Sequence, residues 1–373
     1  MFLFSRNMYC IVAVCCFLLC GTSASAGAVL LLHSTDTSPD WIAGVTEGLV
    51  DTLPSSMNVD ALPVGNAQDG VEHFETVFQS ISDKYGDQSL DGLIADGPVA
   101  YAFLRKYRED LAPLVPVVYC SMPAPDPQRL MSCASCSGVP MDLGVAETVD
   151  FIFALRPETS IVVGIIDGSD ESQRLRRQAE AAIAPYMDRA SLIFPGYEPG
   201  DDNGLDVNTL RDVAASVPLS GAILLLQYDP NAASSASRRN AVPRMLSDRS
   251  DAPVFAVRQQ AIGSGVLGGV VPVAKEQGRQ VGLVMQRIME GEDATTMLVE
   301  AVPPVPVIDQ AVAARFAIPT ALYLDKALVV NPISQPATGE NLEPVTGWLL
   351  GGLLATGMLV FLLIRRTRAH KDR

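Results

Sequence analysis

The chain has 373 residues, 48% of them hydrophobic and 18% charged, with a formal net charge of −15. That apolar content excludes a disordered chain, and 42 acids against 27 bases exclude the basic surface that a nucleic-acid binder needs. The length accommodates two lobes with cores of their own and leaves residues for appendages at both ends.

Arg6, an apolar run from Met8 to Leu19 and the small residues Ala24-Ser25-Ala26 read as a secretory signal over 1–26, so that the mature chain begins at Gly27. A lipid-attachment signal is disfavoured by the bulky Leu19 directly before Cys20. The apolar run Val29–Ser34 predicts a first strand. Behind it, Trp41, Val45, Leu49 and Leu53 recur every four residues and predict a helix over Pro39–Leu53, with Ser38 as N-cap. The cycle repeats with a strand near Val59–Val64, a helix near Val71–Tyr85, a strand at Leu90–Ala95, a helix at Val99–Leu111 and a strand at Val115–Tyr119. Nearly continuous apolar strands between helices predict a parallel sheet covered on both faces.

The alternation then breaks at PAPDPQRLMSCASCSG, which holds two of the three cysteines that remain after the signal: Cys120, Cys133 and Cys136. An odd number in an exported chain leaves at least one thiol free or paired between chains. A local disulfide between Cys133 and Cys136 is the favoured reading. A redox C-x-x-C would open a helix directly after a strand, and zinc would need a fourth ligand that the sequence does not place nearby.

A second series follows: a helix at Val145–Leu155, a strand at Ile161–Asp167, a helix at Glu171–Met187, a strand at Ser191–Phe194 and a helix near Val207–Val217. It continues with a strand at Ala222–Asp229, a helix near Arg238–Ser247 and a strand at Val254–Val257. Two such series predict an α/β protein of two Rossmann-like, doubly wound lobes. Residues 331–344 are a polar, Pro-containing tether, and Val345–Ile364 is an uncharged run of 20 residues, enough for one transmembrane helix. Arg365, Arg366, Arg368, Lys371 and Arg373 follow, so the positive-inside rule puts the tail 365–373 in the cytoplasm. The expected location is the inner membrane, with one span and the ectodomain in the periplasm or outside the cell. Gly347, Gly351 and Ala355 share one helix face and suggest self-association. Taking Arg6 and the tail's five bases and one acid from the total of −15 leaves −20 between them, a field that repels nucleic acid and anionic lipid.

In open parallel sheets, ligands gather beyond the carboxyl ends of the strands. Those ends supply the candidate ligand-binding residues Ser34, Asp36, Asp96, Pro98, Ser121, Asp167, Gln227, Asp229 and Gln259, flanked by His33, Cys120, Ser169, Tyr228 and Arg258. For any one of them, an N-cap or turn role is the competing reading. No catalytic residue is assigned: His33-Ser34 lacks a G-x-S-x-G elbow, and no paired carboxylates or H-E-x-x-H occur. Gly263-x-Gly265-x-x-Gly268 matches a dinucleotide fingerprint in form only, since it runs into GVVPVA instead of opening a helix. It reads as a crossing between lobes. No cofactor and no metal are expected.

Three stretches carry a resemblance: Leu90–Met122, Gly138–Asp167 and above all GVLGGVVPVAKEQGRQVGLVMQRIMEGED at Gly265–Asp293, followed by Pro303–Val330. They resemble the ABC-transporter substrate-binding-like proteins, closest to the extracytoplasmic sensor version found ahead of histidine kinases. The resemblance implies a type I periplasmic-binding-protein fold with lobe 1 at 27–122 and 268–296, lobe 2 at 123–267 and 297–330, and a small metabolite, often an amino acid, in the cleft. The expected function is capture of a small polar, amino-acid-like solute for an ABC permease or a separate signalling protein. The rival expectations are an exported enzyme and a structural or assembly protein on the same fold.

Overall fold

The computed structural model describes residues 27–35, 37–66, 69–86, 90–124, 135–197, 205–228, 241–297, 300–320, 323 and 326–333. Among them no helix is long and apolar enough to cross a membrane. The expected signal segment, most of the tether, the 345–364 span and the tail lie outside the described residues.

The amino-terminal lobe begins with β1 (Gly27–His33), α1 (Pro39–Val50), β2 (Met57–Pro63) and α2 (Val71–Tyr85). It continues with β3 (Leu90–Asp96), α3 (Pro98–Leu111), β4 (Val117–Cys120) and β5 (Cys136–Val139). The five strands form one parallel sheet in the order β2-β1-β3-β4-β5. In β1, Val29, Leu30, Leu31 and Leu32 are all completely buried, because alternate side chains enter two separate cores. Val29 and Leu31 meet Trp41, Val45 and Leu49 of α1, whereas Leu30 and Leu32 meet Ile81 of α2 and Phe103 and Leu104 of α3. Burying each such side chain contributes roughly 1.5–3 kcal/mol, so this strand is the lobe's principal anchor.

The second lobe holds α4 (Val145–Leu155), β6 (Ile161–Ile165), α5 (Asp170–Ile183), β7 (Ser191–Ile193), α6 (Val207–Ser216) and β8 (Gly221–Leu225). It adds α7 (Ala241–Arg249), β9 (Val254–Ala256), β10 (Gly268–Val271), β11 (Val305–Asp309), α9 (Gln310–Arg315) and β12 (Leu328–Val330). Its sheet runs β12-β11-β10-β9-β8-β6-β7, parallel except between β10 and β11. The same two-sided burial recurs in β8. Ala222 and Leu224 pack with α4 and α5, while Ile223 and Leu225 pack with α6 and α7.

The remaining helix, α8 (Ala274–Met289), leaves β10 after two residues and packs on α1, β4 and β5 of the first lobe. The sheets therefore divide the chain at other points than 122/123, 267/268 and 296/297. Segment 136–139 pairs with β4 as a fifth strand, a role its short, small-residue sequence CSGV does not announce. Gly268 and Gly269 lie inside β10, not in a crossing. A Cβ on Gly268 would meet the Val307 carbonyl oxygen at 2.2 Å and one on Gly269 the Ala256 oxygen at 1.9 Å, so these glycines let neighbouring strands close up. The turn ahead of them is made by Gly263 and Gly265, with φ of 93° and 92°. The crossings lie between Val139 and Val145, between Val271 and Ala274, and ahead of β11, with Met141 and Val302 bridged side by side.

Other differences are local. The long helix expected to reach Met187 ends at Ile183 and tightens into a 3₁₀ turn, Ala184–Tyr186, around Pro185, which has no N–H to donate. The strand expected to reach Asp229 stops at Leu225, because the N–H groups of Leu226 and Gln227 both turn onto the Ile165 carbonyl. Ser38 is the N-cap of α1 by backbone, but its side chain makes no capping bond.

Candidate functional site

The link from β5 leaves the carboxyl end of the first sheet, and the link from β10 leaves that of its own strand. The carboxyl ends therefore lie on the side where the two lobes join, and each carries a cluster of polar side chains.

On the first lobe the cluster centres on Asp96, the last residue of β3, which is only 2% exposed. Its Oδ1 accepts from the Trp41 indole Nε1 at 3.4 Å and lies 3.7 Å from the Cys120 thiol, while Nε1 also donates to Ser121 Oγ at 3.2 Å. Asp96 Oδ2 is buried with no hydrogen-bond partner among the described residues. Burial pushes the Asp96 carboxyl above its ordinary pKa, against the lowering effect of the Ser121, Trp41 and Cys120 donors and of His33. Burial also pushes the Cys120 thiol well above its usual range, helped by the neighbouring carboxyl, so this free cysteine stays protonated and unreactive at neutral pH. Ser121 adopts a left-handed φ of 58°, turning the chain out of β4 beneath the indole. Gly97, with φ of 92°, makes the turn from Asp96 into Pro98, the first residue of α3. Ser34 Oγ donates to the Gly65 carbonyl at 3.0 Å and so ties the β1 end to the residues after β2, while His33 Nδ1 lies 2.9 Å from the Ser34 carbonyl of its own turn.

On the second lobe, Gln227 and Arg258 stand just past β8 and β9, and Glu171 on the first turn of α5 just past β6. Arg258 Nε donates to Gln227 Oε1 at 3.0 Å and Arg258 Nη2 to Glu171 Oε1 at 2.8 Å. Gln259 Oε1 accepts from the backbone N–H of Ala274 at 3.2 Å, which ties the β9 end to the first residue of α8 across a crossing. Tyr228 donates to the Leu205 carbonyl at 2.6 Å.

No protein-family model and no curated protein sequence matches the chain. Solved structures do resemble it. An ABC domain in complex with L-Trp from Streptococcus pneumonia superposes with a TM-score of 0.58 at 17% identity, covering 82% of this chain and 100% of that one. The ligand-free, open structure of a substrate-binding protein with adhesive properties from Clostridium difficile gives 0.59 at 13% identity, covering 82% and 99%. An ABC sugar transporter subunit from Rhodobacter sphaeroides gives 0.50 at 14%, covering 77% and 100%. The chain has the type I periplasmic-binding-protein fold.

Within this binding-protein fold the structure brings Asp96, Ser121 and Cys120 together around one indole, and Gln227 together with Arg258. It places Gln259 at a crossing. Asp36 and Asp229 lie outside the described residues, as does Cys133; Cys136 is disulfide-bonded. Trp41 and Glu171 are members of these clusters that the sequence pattern hid. Trp41 fits the apolar stripe of α1, yet an indole N–H is a donor that seeks an acceptor when buried.

Asp167 Oδ1 accepts from Ser169 N (2.9 Å), Ser169 Oγ (2.6 Å) and Ser172 Oγ (2.6 Å), while Ser169 Oγ caps α5 by accepting from Ser172 N (3.2 Å). Through Oδ1 this carboxylate supports the start of α5. Asp167→Ala is expected to cost about 1 kcal/mol of stability, as losing an N-terminal cap does. Urea unfolding checks this: the midpoint should fall while the slope stays unchanged. An unchanged midpoint would show that Asp167 does not support the helix.

Proposed function

We propose that this chain is an exported, membrane-anchored solute-binding protein that captures a small polar, amino-acid-like metabolite between its lobes and presents the closed form to an ABC permease or a separate signalling protein. The observation that carries this reading is the pair of polar clusters at the carboxyl ends of the parallel strands of two sheets, on the side where the crossings join them. A solute touching both clusters makes its full set of contacts only when the lobes close, so it shifts the open–closed population. The L-Trp held by the Streptococcus neighbour supports an amino-acid-like solute. The uncharged run Val345–Ile364 and the five bases after it support the anchor.

The test uses the full chain in detergent. Of its two tryptophans, Trp348 is replaced by Phe so that Trp41 is the sole tryptophan, excited selectively over the tyrosines. A binding solute at about 100 times its Kd should add roughly 2.7 kcal/mol of stability. It should also shift Trp41 emission, because the indole bridges Asp96 and Ser121. If no L-amino acid, dicarboxylate or monosaccharide stabilises the chain, the binding reading fails in favour of a structural role, and chemical turnover of a bound compound would indicate an enzyme.

A further inference from the structure

We infer that Arg258 selects for a carboxylate on the bound solute, with Gln227 and Glu171 as the positioning residues that aim it; this rests on the solute-binding reading above. A guanidinium is a planar fork of five N–H donors with no acceptor. In Arg258 the edge formed by Nε and one Nη2 hydrogen is filled by two acceptors, Gln227 Oε1 just past β8 at 3.0 Å and Glu171 Oε1 on the first turn of α5 at 2.8 Å. Two grips on one edge fix the plane of the fork. The opposite edge, formed by Nη1 and the second Nη2 hydrogen, donates to nothing among the described residues. That edge has the spacing to receive both oxygens of a carboxylate.

Arg174 Nη2 lies 3.5 Å from the same Glu171 Oε1, so one carboxylate is shared between two guanidinium groups. The Arg258 side chain is 35% exposed, so it can be reached. The contrast with Arg108 and Arg156 is informative: both are more than nine-tenths buried and donate to the Pro113 and Leu219 carbonyls, ahead of β4 and β8. They hold the ends of strands away from the cleft, whereas Arg258 stands at the carboxyl ends. Its neighbour Gln259 accepts from the Ala274 N–H at a crossing, so Arg258 stands beside a link between the lobes.

The experiment is thermal stabilisation and fluorescence titration of the full chain with L-amino acids, dicarboxylates and monosaccharides, repeated for each binding acid with its carboxamide analogue. The expected result is that the acid binds about tenfold or more tightly than its amide, and that Arg258→Gln loses about the same factor for the acid but not for the amide. Arg258→Lys, which keeps the charge but not the fork, should recover only part of the loss. Gln227→Ala, which removes one grip on the fork without changing any charge, should reduce the acid-over-amide preference with no change in ligand-free melting temperature, which a merely structural role would not do. Equal binding of acid and amide to the wild type overturns the inference without any variant having to fold. A monosaccharide that binds wild type and Arg258→Gln equally overturns it while leaving the solute-binding reading intact. Silence across the whole panel overturns both.

Discussion

Alanine at Gly48 or Gly278 is expected to destabilise the protein by about 1–3 kcal/mol, although alanine is the better helix former by about 1 kcal/mol. The sign follows from how α1 meets α8. A Cβ on Gly48 would lie 2.1 Å from the Lys275 carbonyl oxygen and 2.5 Å from the Arg279 nitrogen, and one on Gly278 would lie 2.1 Å from the Val45 oxygen. These are backbone atoms of the opposite helix, so no rotamer change relieves the overlap, and the helices must move apart. Separation also disturbs β5, because Gln277 Nε2, wholly buried in the next position of α8, donates to the Val139 carbonyl at 2.8 Å. The exposed ion pairs from Lys275 to Glu47 and Asp51, at 2.7 and 2.8 Å, contribute little by comparison. Denaturant unfolding of each variant gives the answer. A midpoint raised by either substitution would mean that the two helices can yield and that the glycines serve no packing purpose.

Asp96→Asn is expected to gain stability relative to wild type as the pH rises. In the folded chain, burial holds the Asp96 carboxyl above its ordinary pKa. In the unfolded chain it ionises near its usual value of about 3.9. Between those values the folded chain keeps a proton that the unfolded chain has lost. The stability this group contributes is therefore complete below the unfolded pKa and is lost as pH rises through the folded one. Asparagine is neutral throughout, and its amide oxygen can accept from the Trp41 indole as Oδ1 does. The titratable groups against Asp96 are His33 and Cys120, so the difference between the two proteins reads Asp96 together with its coupling to them. Unfolding free energies at roughly pH 3 and pH 7 measure it. A difference that is flat, or that moves against the variant, would show that the carboxyl ionises in the fold without penalty. Asp96→Ala serves as the contrast: it is neutral like asparagine and shares the pH trend, but it removes the Oδ1 that the Trp41 indole and the Cys120 thiol both reach, so it should lie about 1–3 kcal/mol below Asp96→Asn at both pH values.

The sequence by itself determined the local elements. Helices α2 and α4 occupy the expected bounds, Val71–Tyr85 and Val145–Leu155, and β1 and β3 occupy the apolar runs, because such patterns are written among neighbours within one turn or one pleat. It also determined that strand ends would be polar, and so which loops to search. The partners within those loops were decided by the tertiary structure. Trp41 finds Asp96 and Ser121 at separations of 55 and 80 residues, and Arg258 finds Gln227 and Glu171 at 31 and 87. The same holds for β5 joining the first sheet, for β10 running antiparallel to β11, and for the backbone contact between Gly48 and α8. Each depends on the order in which strands assemble, and that order is set by the packing of whole helices onto both faces of a sheet, a sum over many distant side chains that no local spacing records.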